Sequence, residues 1–181
     1  MARMRRQPEQ MGLRLSVRGG ARPGAGRPRG HNVSHARRQP LSHNHPVHVT
    51  LRVCKGVYGL RSRRSFHWIE RAFRAARGAK NARFVHYTVQ GNHIHLIVEA
   101  ENSLRLSRFV QGFEIRVARW LNRMMGRHGR VFADRYHARA LRTPREVRLA
   151  VAYVLKNAAK HYGGGRTASV DPYSSAATFG G

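Results

Sequence analysis

Between residues 47 and 162 the apolar pattern switches repeatedly between a two-residue and a helical period, and few folds can satisfy that switching. Val47-His48-Val49-Thr50-Leu51-Arg52-Val53 puts an apolar side chain at every second position, the mark of a strand with one buried face. Ser65 to Arg77 spaces Phe66, Ile69, Phe73 and Ala76 as a helix does, with Gly78 as its stop. Phe84 to Gln90 alternates again, with Val85, Tyr87 and Val89 on one side, and Gly91-Asn92 gives a short hairpin signal. His93 to Glu99 is the next strand, and Ser103 to Met125 is a long helix striped by Leu106, Phe109, Phe113, Val117, Leu121 and Met124. A fourth strand is expected within Val131 to Leu141. A last helix opens at Thr143-Pro144-Arg145-Glu146, where a threonine cap, a proline at the first helical position and a glutamate form a capping box.

The order strand, helix, strand, strand, helix, strand, helix predicts an α+β fold: a ferredoxin-like βαββαβ antiparallel sheet with an additional C-terminal helix. With Val47, Val49, Leu51, Val53, Val85, Tyr87, Val89, Ile94, Leu96 and Val98 facing the helices, the open face carries His48, Thr50, His86, Thr88, His93 and His95. Residues 1–46 hold ten arginines and a single acid, Glu9, among scattered glycines and prolines, so they read as a disordered basic arm. Residues 163–181, opening with three glycines, read as a flexible tail, which leaves 47–162 as the folded domain.

Charge narrows the partner. Lys+Arg number 35 against Asp+Glu 8, a formal net charge of +27, and 31 of the 35 cations are arginine. The planar guanidinium matches phosphate oxygens, so the excess points to nucleic acid. An acidic membrane surface would attract it too, but no apolar run approaches the ~20 residues of a span and no signal-peptide core follows the basic start. The single cysteine, Cys54, excludes a disulfide framework and any multi-cysteine zinc site. A soluble, cytoplasmic, nucleoid-associated protein with no membrane partner is the expectation.

Two places could carry chemistry. His93-Ile94-His95 presents two imidazoles on one side of a strand, roughly 6–7 Å apart along it, close enough to share one metal ion. The same pair also reads as two outward polar residues in a histidine-rich chain. On the last helix Tyr153 and Asn157 stand one turn apart on one side, beside the apolar stripe of Val147, Val151, Val154, Leu155 and Ala158. A tyrosine and an amide so placed can both approach a metal on the facing sheet, or can be a core tyrosine and a solvent-side amide. Tyr136 and Tyr162 compete for the tyrosine's role. Arg135, Arg139, Arg142, Arg145, Arg148, Lys156 and Lys160 cluster near these positions and can line a groove that tracks a single-strand backbone.

Together these residues bring a family into view. His93-Ile94-His95 after a Gly-Asn turn, with Tyr153-Val154-Leu155-Lys156-Asn157 on a later helix, resembles the single-tyrosine transposases of the HUH endonuclease superfamily. The likeness is nearest to REP-associated tyrosine transposases and small insertion-sequence transposases, and it runs from about Val47 to Tyr162. Ala158 departs from it, since close members often have proline after the amide. The resemblance implies His93, His95 and Asn157 as ligands of a divalent metal, Mg2+ or Mn2+, and Tyr153 as the nucleophile. It implies single-stranded DNA cleavage and strand transfer through a 5′-phosphotyrosine, on DNA with an adjacent hairpin. Some family members act as homodimers and others as monomers. Gly24-Ala25-Gly26-Arg27-Pro28-Arg29-Gly30 is similar to a minor-groove hook, so Arg27 and Arg29 join the DNA-binding candidates.

Two other readings use the same residues. His48-Val49-Thr50 and His86-Tyr87-Thr88 are paired His-x-Thr triplets, as in metal-free RNA phosphoesterases. A non-catalytic nucleic-acid-binding sheet is the other, and it would need exposed aromatics where the alternation supplies histidines.

Overall fold

The computed structural model of the protein describes residues 40–162 and 170–178, with the side chains of 157–162 and 177–178 outside that description. Eight elements follow one another: β1 (Val47–Arg52), α1 (Arg63–Ala76), β2 (Ala82–Val89), β3 (His93–Ala100), α2 (Ser103–Met125), β4 (His137–Ala140), α3 (Pro144–Tyr162) and a short 3-10 turn, Ser175–Thr178. The strands form one antiparallel sheet in the order β2-β3-β1-β4, the ferredoxin-like arrangement that the alternating periods predict. No helix among the described residues is long and apolar enough to cross a membrane.

Helices α1 and α2 cover one face of this sheet. Val49, Leu51, Ile94, Leu96 and Val98 point into that layer and are buried against Ile69, Phe73, Val110, Phe113 and Val117. At its centre Phe73 stacks on Tyr87 at 4.1 Å between ring centroids and meets Phe113 at 4.6 Å. The caps explain where the helices begin and end. Ser62 Oγ accepts the Ser65 N–H at 3.1 Å, so α1 starts at Arg63, two residues before the apolar spacing indicates. Asn102 accepts the N–H groups of Leu104 and Arg105, and Gly126 closes α2 with a φ of 61°, a left-handed value that a side chain disfavours. At α3 the capping box forms as its residues require: Glu146 N–H donates to Thr143 Oγ1, and Glu146 Oε2 accepts from Thr143 and Arg142 N–H.

Two expectations need correction. Val85 does not face the helices. Phe84 pairs with Val98 and His86 with Ile97, so Val85 is the extra residue of a β-bulge and is 37% exposed. The bulge turns Phe84 inward, where it packs on Phe73, Phe109 and Phe113, while Tyr87 and Val89 keep their inward parity. The second correction concerns the tail. Residues 170–178 pack on the sheet: Val89 N–H donates to Tyr173 O, Ser174 bridges Thr88, and Arg61 makes a bidentate pair with Asp171 at 2.8 and 3.0 Å. Both members of that pair are largely shielded, and Arg61 also lies over the Tyr173 ring. The glycine-rich composition hid this anchor, which depends on one acid 110 residues from its partner. Leu41, inside the predicted arm, likewise packs on the core and donates its N–H to Ser103 Oγ. The remainder of the arm, residues 1–39, lies outside the described residues.

Three measurements test this account. Phe113→Ala is expected to cost about 3–5 kcal/mol of unfolding free energy in a denaturant titration, because the ring is fully buried among other rings. Asp171→Asn removes one charge of a shielded pair, so hydrogen exchange at the Val89 amide should accelerate while the Ile94 and Leu96 amides stay protected. The backbone donors and Arg139 hold the Glu146 carboxyl below its ordinary 4.5. Its contribution to α3 is therefore complete above pH 4.5 and disappears as pH falls through the lowered value. Helicity followed by circular dichroism should show that acid loss in the native chain and not in Glu146→Gln.

Candidate active site

Strand β3 runs between β1 and β2, and its alternation sorts its side chains. Ile94, Leu96 and Val98 go to the helices, so His93, His95 and Ile97 go to the opposite face. Register supplies their neighbours. Thr50 and Thr88 both pair with His95, while His48 and His86 both pair with Ile97. The six open-face residues expected from parity therefore do share one face.

Helix α3 lies on that face. Val154 packs with Ile97 and Leu141, and Val147, Ala150 and Val151 support the contact. Tyr153 precedes the buried Val154, so its ring emerges beside this contact, over the histidines, and remains 43% exposed. Its hydroxyl lies 3.5 Å from His95 Nε2, with the two rings edge to face at 5.2 Å. The phenol and the strand pair thus meet within one chain. Tyr136, the first rival, is buried in the core beneath the other face, and the side chain of Tyr162 lies outside the described residues.

The imidazoles are held by a second ring of contacts. His93 Nδ1 lies 2.7 Å from Asn92 Oδ1, the hairpin residue just before it. His95, only 6% exposed, has its Nδ1 at 3.1 Å from Thr50 Oγ1 and 3.2 Å from His48 Nε2. The His93 and His95 rings stand nearly perpendicular at 4.7 Å. Burial lowers the pKa of His48, and the nearby His137 and Arg139 lower it further, so its neutral form is favoured and shares a hydrogen bond with His95 Nδ1. Nδ1 of each strand histidine is thus turned to a neighbour, and His95 Nε2 faces the Tyr153 hydroxyl. The contact between His48 and His95 escaped the sequence reading, although parity had put both on one face. Its signal was the cross-strand offset, which only the register fixes.

Among the described residues no group of three or more His, Cys, Asp or Glu converges as a metal centre. The donor types still suit a divalent ion that must also accept substrate oxygen: two imidazoles on one strand face, each with its Nδ1 turned to a neighbour, beside Tyr153. The side chain of Asn157, expected as a third ligand, lies outside the described residues, as do Lys160, Arg27 and Arg29. Of the other expected DNA contacts, Arg139, Arg142, Arg145, Arg148 and Lys156 are exposed around β4 and α3, whereas Arg135 is half-buried. Arg139 stands across from His48 in the β1–β4 register and pairs with Glu146 at 2.7 Å. His86 is buried, with its Nδ1 at 3.2 Å from Ser175 Oγ of the docked C-terminal segment.

Comparison with known proteins agrees with this geometry. No curated protein matches the sequence. The chain is similar in fold to the solved structure of a REP-associated tyrosine transposase bound to a REP hairpin. The identity is 17%, the TM-score is 0.62, and the match covers 79% of this chain and 82% of that one. The family model for IS200-like transposases matches residues 42–157, which span the sheet, both covering helices and α3 through Asn157. With the match extending over most of the folded chain, the protein belongs to the IS200-like transposase family.

Proposed function

We propose that the protein cleaves and rejoins single-stranded DNA through Tyr153, which becomes joined to a 5′ phosphate. The observation that carries this reading is the approach of the Tyr153 hydroxyl to His95 Nε2 at 3.5 Å, on an exposed rim of an otherwise covered face. The Tyr153 oxygen attacks phosphorus, a tyrosine–phosphate bond forms, and the bond from phosphorus to the 3′ oxygen breaks. The phenol gives up its proton and the departing oxygen becomes a 3′ hydroxyl. The phosphodiester energy stays in the new linkage, so another 3′ hydroxyl can reverse the step and join different strands without ATP.

His93 and His95 would hold a divalent ion, Mg2+ or Mn2+, with Asn157 as the expected third ligand. Such an ion, when bound, supplies Lewis-acid stabilisation of charge on the scissile phosphate. His48 and Thr50 fix the His95 ring by occupying its Nδ1 side, and Asn92 does the same for His93. Arg139, Arg142 and Lys156 line the exposed approach and track the strand backbone. The structural neighbour carries a REP hairpin, which supports a hairpin beside the cleaved strand as this chain's substrate, with the Arg27 and Arg29 segment gripping its stem. A DNA substrate of this kind would place the protein in the cytoplasm with the nucleoid.

Tyr153→Phe should abolish the covalent adduct with an oligonucleotide from the flanking DNA and leave its binding unchanged. An adduct formed by the variant would refute the nucleophile. EDTA should stop cleavage by the native chain, and added Mg2+ or Mn2+ should restore it. Cleavage that persists in the chelator would remove the metal from the mechanism. His48→Ala should raise the metal concentration for half-maximal cleavage by about 10–100-fold, as loss of a ligand's outer partner does, with little change in cleavage at saturating metal.

A further inference from the structure

The side of the sheet away from Tyr153 carries a second surface that the cleavage chemistry leaves unused. Helices α1 and α2 run antiparallel there, and together they hold nine arginines against two glutamates. A general positive charge would scatter those arginines among solvated polar residues. Instead, aromatic rings alternate with guanidinium groups along the seam between the two helices.

At the middle of the seam Trp68 of α1 and Trp120 of α2 stand 5.9 Å apart, and Arg71 lies over both, 5.6 Å from each ring centre. Both tryptophans are half-buried, so their bodies are held by the helices while part of each ring reaches solvent. One turn toward the α1 start, the seam opens into a cavity of about 750 Å3 lined by Tyr58, Arg64, Met124 and Met125. Tyr58 is 58% exposed, and its backbone N–H lies against Met125 Sδ. Toward the α1 end the seam opens again into a cleft of about 400 Å3 lined by Lys80, Arg105, Arg108 and Arg116. Arg116 lies along the wall of that cleft, its Nη1 donating to the Gly112 carbonyl at 2.9 Å.

We infer that this seam binds an unpaired stretch of the DNA, separate from the strand that reaches Tyr153. Arginine explains affinity for any phosphate backbone, duplex included. The rings decide between the two. Bases in a duplex are stacked on each other, whereas unpaired bases offer π faces to tryptophan, tyrosine and the Met thioethers. The α1 length of roughly 20 Å gives several nucleotides a track, with a cation-lined cleft at one end and a cavity that combines Tyr58 and two methionines with arginines at the other. The sheet lies between this track and the tyrosine, so the bound stretch flanks the cleavage position. The inference rests on DNA being the substrate, and not on which residue attacks it.

Trp68 and Trp120 are the chain's two tryptophans, so intrinsic emission reports on this seam alone. The full-length Tyr153→Phe protein, unable to form an adduct, is titrated with oligothymidylate and with a blunt-ended hairpin. Oligothymidylate should quench tryptophan emission and the blunt hairpin should bind without doing so. Arg71→Glu, a change on the exposed surface, should weaken oligothymidylate binding about tenfold and leave the hairpin less affected, and Trp68→Ala should do the same in a variant whose melting is unchanged. Oligothymidylate that saturates without altering emission, or a hairpin that quenches equally, overturns the inference. Native protein that quenches yet forms no covalent adduct upholds the seam and counts only against the catalytic reading.

Discussion

Everything at the candidate site depends on the register of β3 between its two neighbours. A strand alternates strictly, so a slip of one residue would turn His93 and His95 under α1 and α2 and put Leu96 in the open. Two imidazoles in that apolar layer would lose their partners, and the Phe73–Tyr87–Phe113 cluster would lose the side chains that fill against it. The hydrophobic layer thus fixes the polar one. Burial of Ile94, Leu96 and Val98 is the force that aims the histidines.

The same logic sets the tyrosine. Val154 packs on Ile97, the open-face residue two places beyond His95, and so the residue before it is delivered to the histidine pair. The contact of Tyr153 with His95 is made within one chain. It follows from one apolar contact on a helix that begins at a well-formed cap. The Thr143 and Glu146 interactions at the start of α3 therefore act on the site over a distance, by setting where the helix begins and hence which residue meets the sheet.

Much of this was legible in the chain. The bounds of α2 could be read from its stripe and Gly126, β3 from its alternation, and the start of α3 from its capping box, because each is a local signal of the backbone itself. The bulge at Val85 was not legible, since Val85, Tyr87 and Val89 satisfy alternation perfectly and only the competing demand of Phe84 for the core displaces Val85. Nor was the pairing of Arg61 with Asp171, which joins the start of α1 to a segment far along the chain. The grouping of His93, His95 and Tyr153 was suggested by motif, but the hold of His48 and Thr50 on His95 required knowing which residues oppose each other across β1 and β3.

The docked C-terminal segment has a consequence for how this protein behaves in crowded solution. β2 is one outer strand of the sheet, and its far end would otherwise offer unsatisfied backbone groups to any passing chain. Tyr173 and Ser174 occupy that end by taking the Val89 N–H and bridging Thr88. The other outer strand, β4, has four residues and ends against α3. That end of β2 is covered and β4 is short, which leaves less strand edge open to pairing with another chain.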